Sequence, residues 1–272
     1  MPGVLVFDIE TVPDQELLFS ESQTSIQVPD ARAPVEALPK IPFNRVVLIG
    51  AARLSVETSW GGEEYRLEDL TSLSGAEPSV LRRFWKLAEG MRLVTFNGRH
   101  FDLPVLESRS LRHGLALPWY FADGSVRSDA ALHLDLLQFL SNGEPKNRAK
   151  LHDYCKLVGL PGKMGMDGSR VAELVREDRL AELSAYCATD VLQTLGLFLR
   201  VQRLRGACQP TAYPAMLREV REAIQRITET RQGIEREKLR TFLACSDGFW
   251  RGGGVELATA TAGSSIGART SR

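Results

Sequence analysis

The sequence predicts an α/β fold, with a mixed β-sheet flanked by helices. An apolar strand opens the chain, two further strands follow with only a short turn between them, and the second half is mostly helical. Strands that alternate with helices in this way are typical of α/β domains. With 272 residues, the chain is long enough for one sizeable domain and an appendage.

The strands are predicted from short runs rich in apolar and β-branched residues, bounded by turn residues. The pentapeptide TSWGG separates the second strand from the third, so these two are expected to pair antiparallel. The predicted strands are Val4–Asp8, Arg45–Glu57, Glu63–Asp69, Arg92–Asn97 and the segment Leu132–Leu140.

Apolar residues at helical spacing predict helices in the rest of the chain. Gly90 ends the first of them, and Pro104 falls in the first turn of the second, where proline is tolerated. The predicted helices are Pro78–Gly90, Asp102–Leu115, Lys150–Leu160, Ser169–Glu177 and Asp178–Leu204, followed by a charged helical stretch over Tyr213–Ala244.

The chain is predicted to divide into three segments. Residues 1–205 form the principal domain, residues 206–244 form a helical extension, and residues 245–272 form a disordered tail. The tail is rich in Gly, Ser, Thr and Ala and has no apolar period. A long excursion with several prolines separates the first two strands, between Pro13 and Pro42, and loops of this length are often functional or mobile.

Composition excludes several classes of protein. The formal net charge is zero, so no global basic field marks a protein that coats duplex nucleic acid, although a local groove remains compatible. The 4 cysteines form no CxxC pair, which argues against a zinc site and for reduced thiols. The first residues do not resemble a signal peptide, and no apolar run approaches the ~20 residues that span a bilayer. We therefore expect a cytoplasmic protein without a membrane partner.

Two carboxylates at the end of the first strand carry the functional prediction. Asp8 and Glu10 are separated by one residue, so in an extended strand they point to the same face. Like charges this close are unfavourable without a cation. A bound metal ion would explain the pair.

Three further side chains are expected to join this pair. Asp102 follows the strand that ends in TFN and begins a helix, while Tyr186 and Asp190 lie four residues apart on the long helix. Residues at that spacing are about 40° apart around a helix and about 6 Å apart along it. Carboxylate oxygens suit hard cations such as Mg²⁺ and Mn²⁺, and two such ions can stabilise the attacking and leaving oxygens of a phosphodiester displacement.

The three motifs resemble those of the DEDDy branch of the DEDD superfamily of 3′–5′ exonucleases. They are FDIET, FNGRHFDLP and YCATD, in this order. The second motif is most similar to proofreading domains of B-family DNA polymerases, and the stretch Leu157–Arg200 resembles predicted PolB-like 3′–5′ exonucleases. The resemblance covers roughly residues 3–205. It implies a ribonuclease-H-like fold and makes residues 1–205 an exonuclease domain.

The resemblance also implies a role for each motif residue. Asp8, Glu10, Asp102 and Asp190 would bind two ions, Mg²⁺ or Mn²⁺, and Tyr186 would orient the attacking water. Thr11 would contact the terminal nucleotide, and Asn97 and Phe101 would shape its pocket. The implied substrate is a single-stranded 3′ end, with DNA favoured, and a proofreading role would need a polymerase or repair partner.

Two other functions stay open from the sequence. The chain could be an exoribonuclease that trims RNA 3′ ends, because recognition of the 2′-OH depends on pocket shape rather than on these motifs. It could also be a nucleic-acid-binding module without catalysis, although all four acids and the tyrosine are present. Asp135 is interpreted as structural, and Lys163 as either a phosphate contact or a solvated loop residue.

Overall fold

The computed structural model describes residues 3–22, 39–60, 62–127, 129, 131–164 and 170–252. Within these residues, the strands form one five-stranded sheet with the order β3-β2-β1-β4-β5. Strand β1 pairs antiparallel with β2 and parallel with β4, so the sheet is mixed, as predicted. The strands are β1 Val4–Pro13, β2 Asn44–Ser59, β3 Gly62–Ser74, β4 Arg92–Thr95 and β5 His133–Asp135.

Helices cover both faces of the sheet. The long helix α8 is 25 residues in length, and most of its side chains are buried. The described helices are α1 Gln15–Ser22, α2 Glu77–Ala88, α3 Asp102–Arg112, α4 Pro118–Phe121, α5 Leu136–Leu140, α6 Leu151–Val158, α7 Val171–Arg176, α8 Leu180–Leu204, α9 Tyr213–Thr230, α10 Gly233–Cys245 and α11 Asp247–Trp250.

The alternation of side chains along β1 divides the apolar core in two. Val4 and Val6 belong to a cluster with α8, whereas Leu5, Phe7 and Ile9 pack with the helices of the opposite face. Successive residues of a strand point to opposite faces, so Asp8 and Glu10 continue the face that Val4 and Val6 present to α8. The apolar start of β1 thus fixes where its two carboxylates point.

The predicted last strand is shorter than expected. Only His133–Asp135 is extended, and Leu136–Leu140 forms α5. The Asp135 side chain accepts hydrogen bonds from the backbone N–H groups of Leu137 and Gln138, at 3.0 and 3.2 Å, and this N-cap starts the helix. An apolar run alone does not distinguish a strand from a helix. The N-cap at Asp135 favours the helix.

The prediction that the chain is disordered from residue 245 onwards is wrong for the first residues of this tail. Helix α10 ends at Cys245, and α11 follows it immediately. The side chains of Phe249 and Trp250 are buried in the same cluster as α8, and Trp250 Nε1 donates to Ser246 Oγ at 2.9 Å. Burial of two aromatic side chains explains why this segment is folded. The rest of the predicted tail, residues 253–272, lies outside the described residues.

The excursion between β1 and β2 contains α1 and a 3₁₀ turn at Ile41–Phe43. Its middle, residues 23–38, lies outside the described residues. Within the part of the chain that is described, no helix is both long and apolar enough to cross a membrane.

Candidate active site

Helix α8 approaches β1 closely because β2 carries a glycine opposite Asp8. Gly50 pairs with Asp8 across the β1–β2 ladder. A Cβ atom on Gly50 would lie 2.7 Å from Cys187 Sγ and 3.1 Å from Val191 Cγ2, both on α8. Since real side chains do not approach that closely, glycine is the residue that lets the helix pack against the strand pair.

The loop between β4 and α3 holds Asp102 beside β1. Asp135 accepts hydrogen bonds from Asn97 N at 2.9 Å and from Arg99 N at 3.0 Å. Asn97 is left-handed, with φ 69°, a conformation that asparagine tolerates better than most residues. Asp102 is the first residue of α3, and its carboxylate accepts a hydrogen bond from the Ile9 backbone. The loop and the strand therefore fix this side chain together.

Helix α8 supplies the other two predicted side chains. The Tyr186 hydroxyl donates a hydrogen bond to the Asp190 carboxylate. Gln193 Nε2 also donates to Asp190 Oδ1, at 3.1 Å. These contacts confirm that residues 186 and 190 share one face of the helix.

The four carboxylates form one electrostatic group. Burial raises the pKa of Asp8 well above its ordinary value, and the charges of Asp102, Glu10 and Asp190 raise it further. The pKa of Glu10 is raised in the same way, first by burial and then by the charges of Asp190 and Asp102. In this environment, full ionisation is favourable only when a cation compensates the charges.

The pKa values of the other two acids, Asp102 and Asp190, are raised less. Burial raises the pKa of Asp102 to about 7 and that of Asp190 to about 6. The hydrogen bond from Tyr186 and the positive charge of Lys163 offset part of the burial effect on Asp190. Lys163 thus lies close enough to act on the group, whereas the sequence left its role open.

The donor atoms suit a hard divalent cation. Carboxylate oxygens from β1, α3 and α8 provide negative charge in a partly closed site, and such oxygens are the ligands that Mg²⁺ and Mn²⁺ prefer. Asp8 and Glu10 also belong to a group of side chains whose potential ligand atoms lie within 4.8 Å of one another. The crowding of the acids and the nature of their atoms therefore fit a bound metal.

A comparison with protein families adds to this geometry. A family model described as a predicted 3′–5′ exonuclease related to the exonuclease domain of PolB matches residues 37–245.

The chain belongs to this family.

The protein is thus an enzyme of the PolB-related 3′–5′ exonuclease family. The matched residues contain Asp102, Tyr186 and Asp190 but begin after β1. Asp8 and Glu10 lie outside the matched residues, and the fold places them close enough to Asp102 and Asp190 for the charges to interact. The mixed sheet flanked by helices agrees with the ribonuclease-H-like fold that the sequence motifs imply.

The search of curated proteins gave no match. Among solved structures, a family B DNA polymerase from the hyperthermophilic archaeon Pyrobaculum calidifontis has 17% sequence identity and a TM-score of 0.49. The aligned region covers 84% of this chain and 29% of that polymerase chain, so this protein spans less than a third of the polymerase's length.

One member of the site was missed from the sequence. Cys187 is fully buried, and its sulfur is one of the potential ligand atoms grouped with Asp8 and Glu10. Its thiol lies 3.8 Å from the Asp8 carbonyl oxygen. Burial, Glu10 and Asp8 raise the pKa of the thiol, so it remains protonated and neutral. Its spacing of three residues from Asp190 was the signal, since residues i and i+3 share a helix face.

The three predicted substrate-binding residues differ in hydrogen bonding and in exposure. Thr11 Oγ1 lies 3.4 Å from Asn44 Oδ1, to which it donates. Asn97 and Phe101 are partly exposed in the loop that precedes Asp102, and Phe101 also packs against the core. Thr11 and Phe101 directly adjoin Glu10 and Asp102 in the chain, and Asn97 lies in the loop that leads to Asp102.

Proposed function

We propose that the protein is a metal-dependent 3′–5′ exonuclease that hydrolyses phosphodiester bonds at single-stranded 3′ ends. The observation that carries the proposal is the convergence of Asp8, Glu10, Asp102 and Asp190, whose charges oppose one another in a buried site. Membership of the PolB-related exonuclease family supports the reaction class. DNA is the favoured substrate because the family is related to a DNA polymerase domain.

The four carboxylates would hold two ions, Mg²⁺ or Mn²⁺, with each acid in the role of metal ligand. When bound, such ions neutralise charge on the phosphate oxygens and acidify a coordinated water. Burial and the surrounding acids raise the pKa of Tyr186 above its ordinary value, so its phenol stays protonated. Tyr186 is therefore suited to orient the attacking water and unsuited to remove its proton.

The remaining residues would hold the substrate. Thr11, Asn97 and Phe101 border the acids and would contact the terminal nucleotide. The Lys163 charge, which acts on Asp190, is suited to a substrate phosphate. A base-paired end would have to open before its last phosphodiester could reach the acids, at roughly 1.4 kcal/mol per base-pair step. A single strand avoids that cost.

The test is a side-by-side assay of end-labelled DNA and RNA oligonucleotides in Mg²⁺, Mn²⁺ or EDTA. We expect the protein to hydrolyse DNA only when metal is present. Asp8→Asn should reduce the rate of this hydrolysis at least 100-fold. Asp123→Asn is the matched control because Asp123 is exposed and lies outside the site, so its activity should be unchanged. Preferential hydrolysis of RNA would favour an exoribonuclease. Binding without hydrolysis under every metal would overturn the proposal in favour of a silent binding module.

A further inference from the structure

A groove follows the edge strand β5, outside the carboxylate group. It consists of two hollows of about 330 and 510 Å³ that share Leu134 and Arg205 in their walls. Strand β5 lies at the end of the sheet and pairs with β4 on one side. We call this feature the edge groove, and the lining residues on which the argument depends are Arg92, Arg99, Leu134, Phe139, Gln202 and Arg205.

One end of the edge groove adjoins the candidate active site. Arg99 belongs to the loop that precedes Asp102, and its backbone N–H is held by Asp135. Asp135 also lines the groove and accepts a hydrogen bond from Asn97 N at 2.9 Å, in the same loop. A strand whose 3′ end lies at the carboxylates can therefore enter the groove at Arg99.

The other end of the groove offers guanidinium donors. Arg92 Nη1 pairs with Glu63 Oε1 at 2.9 Å. Its Nε and Nη2 are buried and have no hydrogen-bond partner among the described residues. Buried donors without an acceptor are costly, and a phosphate oxygen would satisfy them. Arg205 is exposed between the two hollows, with Nη1 donating to Gln202 Oε1 at 3.2 Å.

An aromatic ring lies beside these cations. Phe139 is 39% exposed, and the Arg205 guanidinium is 5.9 Å from its ring centroid. Arginine and exposed aromatic side chains together are typical of grooves for single-stranded nucleic acid, where bases stack and the backbone follows positive charge.

The negative charges in the groove are already compensated. Glu63 is paired with Arg92 and accepts a hydrogen bond from Tyr65. Asp135 accepts hydrogen bonds from four backbone N–H groups in its two roles as cap and loop support. His133 adds no charge, since burial and then Arg99 lower its pKa to about 4. Three arginines and two carboxylates line the groove, which leaves it with a net positive charge of one.

We propose that the edge groove binds the single-stranded nucleic acid that trails from the 3′ nucleotide. Arg205 and Arg92 contact its phosphates, and Phe139 stacks on one of its bases. This proposal rests on the proposed function, because it extends the substrate contact beyond the terminal nucleotide. The two ends of the groove are about 10 Å apart, which is the length of the extended strand β4. That length accommodates about three phosphates at the ~3.4 Å spacing of a stacked strand.

The test compares a 5′-fluorescent thymidine dinucleotide with an octanucleotide, by anisotropy in EDTA and by KM in Mg²⁺. In wild-type protein, the octanucleotide should bind more tightly and have the lower KM. Arg205→Ala and Phe139→Ala should each raise its Kd and KM about fivefold or more, and kcat and the constants for the dinucleotide should stay unchanged. Arg205→Ala should also reduce the salt slope of log K by about 0.7, the value for one phosphate contact on a single strand.

Arg218→Ala is the matched control, because Arg218 is an exposed helical arginine on α9 outside the groove. It should leave every constant within twofold. If wild-type protein hydrolyses both substrates with equal KM, or if the two groove variants behave like the control, the edge groove has no role and the nuclease assignment stands. If wild-type protein hydrolyses neither substrate, both proposals are overturned.

Discussion

Gly50 shows at the scale of single residues how the site depends on close packing. It has no Cβ where α8 passes over β2, and its nearest neighbour on that side is the Cys187 sulfur. The same contact sets the distance between the two carboxylates of β1 and Asp190 of α8. A change of one methyl group at this point should therefore affect both the stability and the geometry of the site.

We predict that Gly50→Ala lowers the free energy of unfolding by about 1–3 kcal/mol through overpacking. Adding Cys187→Ala should restore part of the loss, because the sulfur atom at 2.7 Å is removed. Denaturant unfolding of the two single variants and the double variant measures this coupling. Gly248→Ala is the control, since none of the described residues has an atom within 4 Å of a Cβ at that glycine. Simple additivity of the two substitutions would contradict the packing argument.

Protonation of the acids should be visible in the stability of the metal-free protein. The folded-state pKa of Asp102, about 7, lies above the value of about 3.9 expected in the unfolded chain. The folded state therefore holds more protons between these two values, and this acid makes the protein less stable as pH rises from about 4 to 7.

Asp102→Asn should therefore increase the free energy of unfolding in EDTA at pH 8 by at least about 1 kcal/mol, and the gain should vanish below pH 4. Saturating Mg²⁺ should remove or reverse the gain, because the variant loses a metal ligand. Denaturant titrations across this pH range, with and without Mg²⁺, are the measurement. Equal pH dependence of the variant and the wild-type protein in EDTA would argue against the electrostatic group.

At the scale of elements, a buried ion-pair network fixes α3, and with it Asp102. Glu77 at the start of α2 binds Arg109 of α3 through two contacts of 2.8 and 2.6 Å, and also accepts from Val46 N at 2.7 Å. Asp14, just after β1, contacts Arg109 at 2.7 Å. The network thus joins α2, α3, β2 and the residue that follows β1, on the face of the sheet opposite α8.

We predict that Glu77→Gln lowers the free energy of unfolding by about 3 kcal/mol, because it leaves buried Arg109 without its main partner. Burial opposes ionisation of Glu77, but hydrogen bonds from Arg109 and His113 outweigh burial and hold its pKa below the ordinary value. The stabilisation is therefore complete above about pH 4.3 and is lost as pH falls through the lower folded-state pKa. Glu89→Gln, at an exposed position, should change stability by less than about 0.5 kcal/mol. A loss for Glu77→Gln no larger than that of the control would refute the network.

At the scale of the whole molecule, the C-terminal helices complete the core. Helix α10 packs on α8, and the Arg200 guanidinium of α8 lies 5.2 Å from the Phe249 ring centroid. The predicted division into an exonuclease domain and a separate extension therefore underestimates how far one apolar cluster continues.

A chain that ends at Thr241 should lose stability and activity, since it lacks the buried side chains of Leu243, Phe249 and Trp250. Truncations of buried aromatics cost about 3–5 kcal/mol each. A chain that ends at Gly252 keeps every described contact and should melt within about 2 °C of the full chain. Thermal melting and nuclease assays of the two truncated proteins provide the comparison. Full activity of the shorter chain would show that these helices are dispensable.

The sequence predicted most of the sheet and which acids lie close together, because both depend on local patterns. Alternating apolar residues placed β1, and the spacing of Asp8 and Glu10 on it follows from extended geometry. The short length of β5 was missed because the apolar run Leu136–Leu140 is compatible with a strand as well as with a helix. Helix α11 was missed because its two aromatics lie between polar and glycine residues. Cys187 was missed because α8 is buried on several sides, and an apolar period cannot then select one face.

The most direct test of the central claim is the digestion of a 5′-labelled single strand in Mg²⁺, with a blunt duplex of the same sequence alongside. We expect a ladder that shortens stepwise from the 3′ end, with the single strand degraded well ahead of the duplex. Asp190→Asn should abolish the ladder without loss of thermal stability in EDTA. Immediate release of the labelled 5′ mononucleotide, or an unchanged ladder from the Asp190 variant, would contradict it.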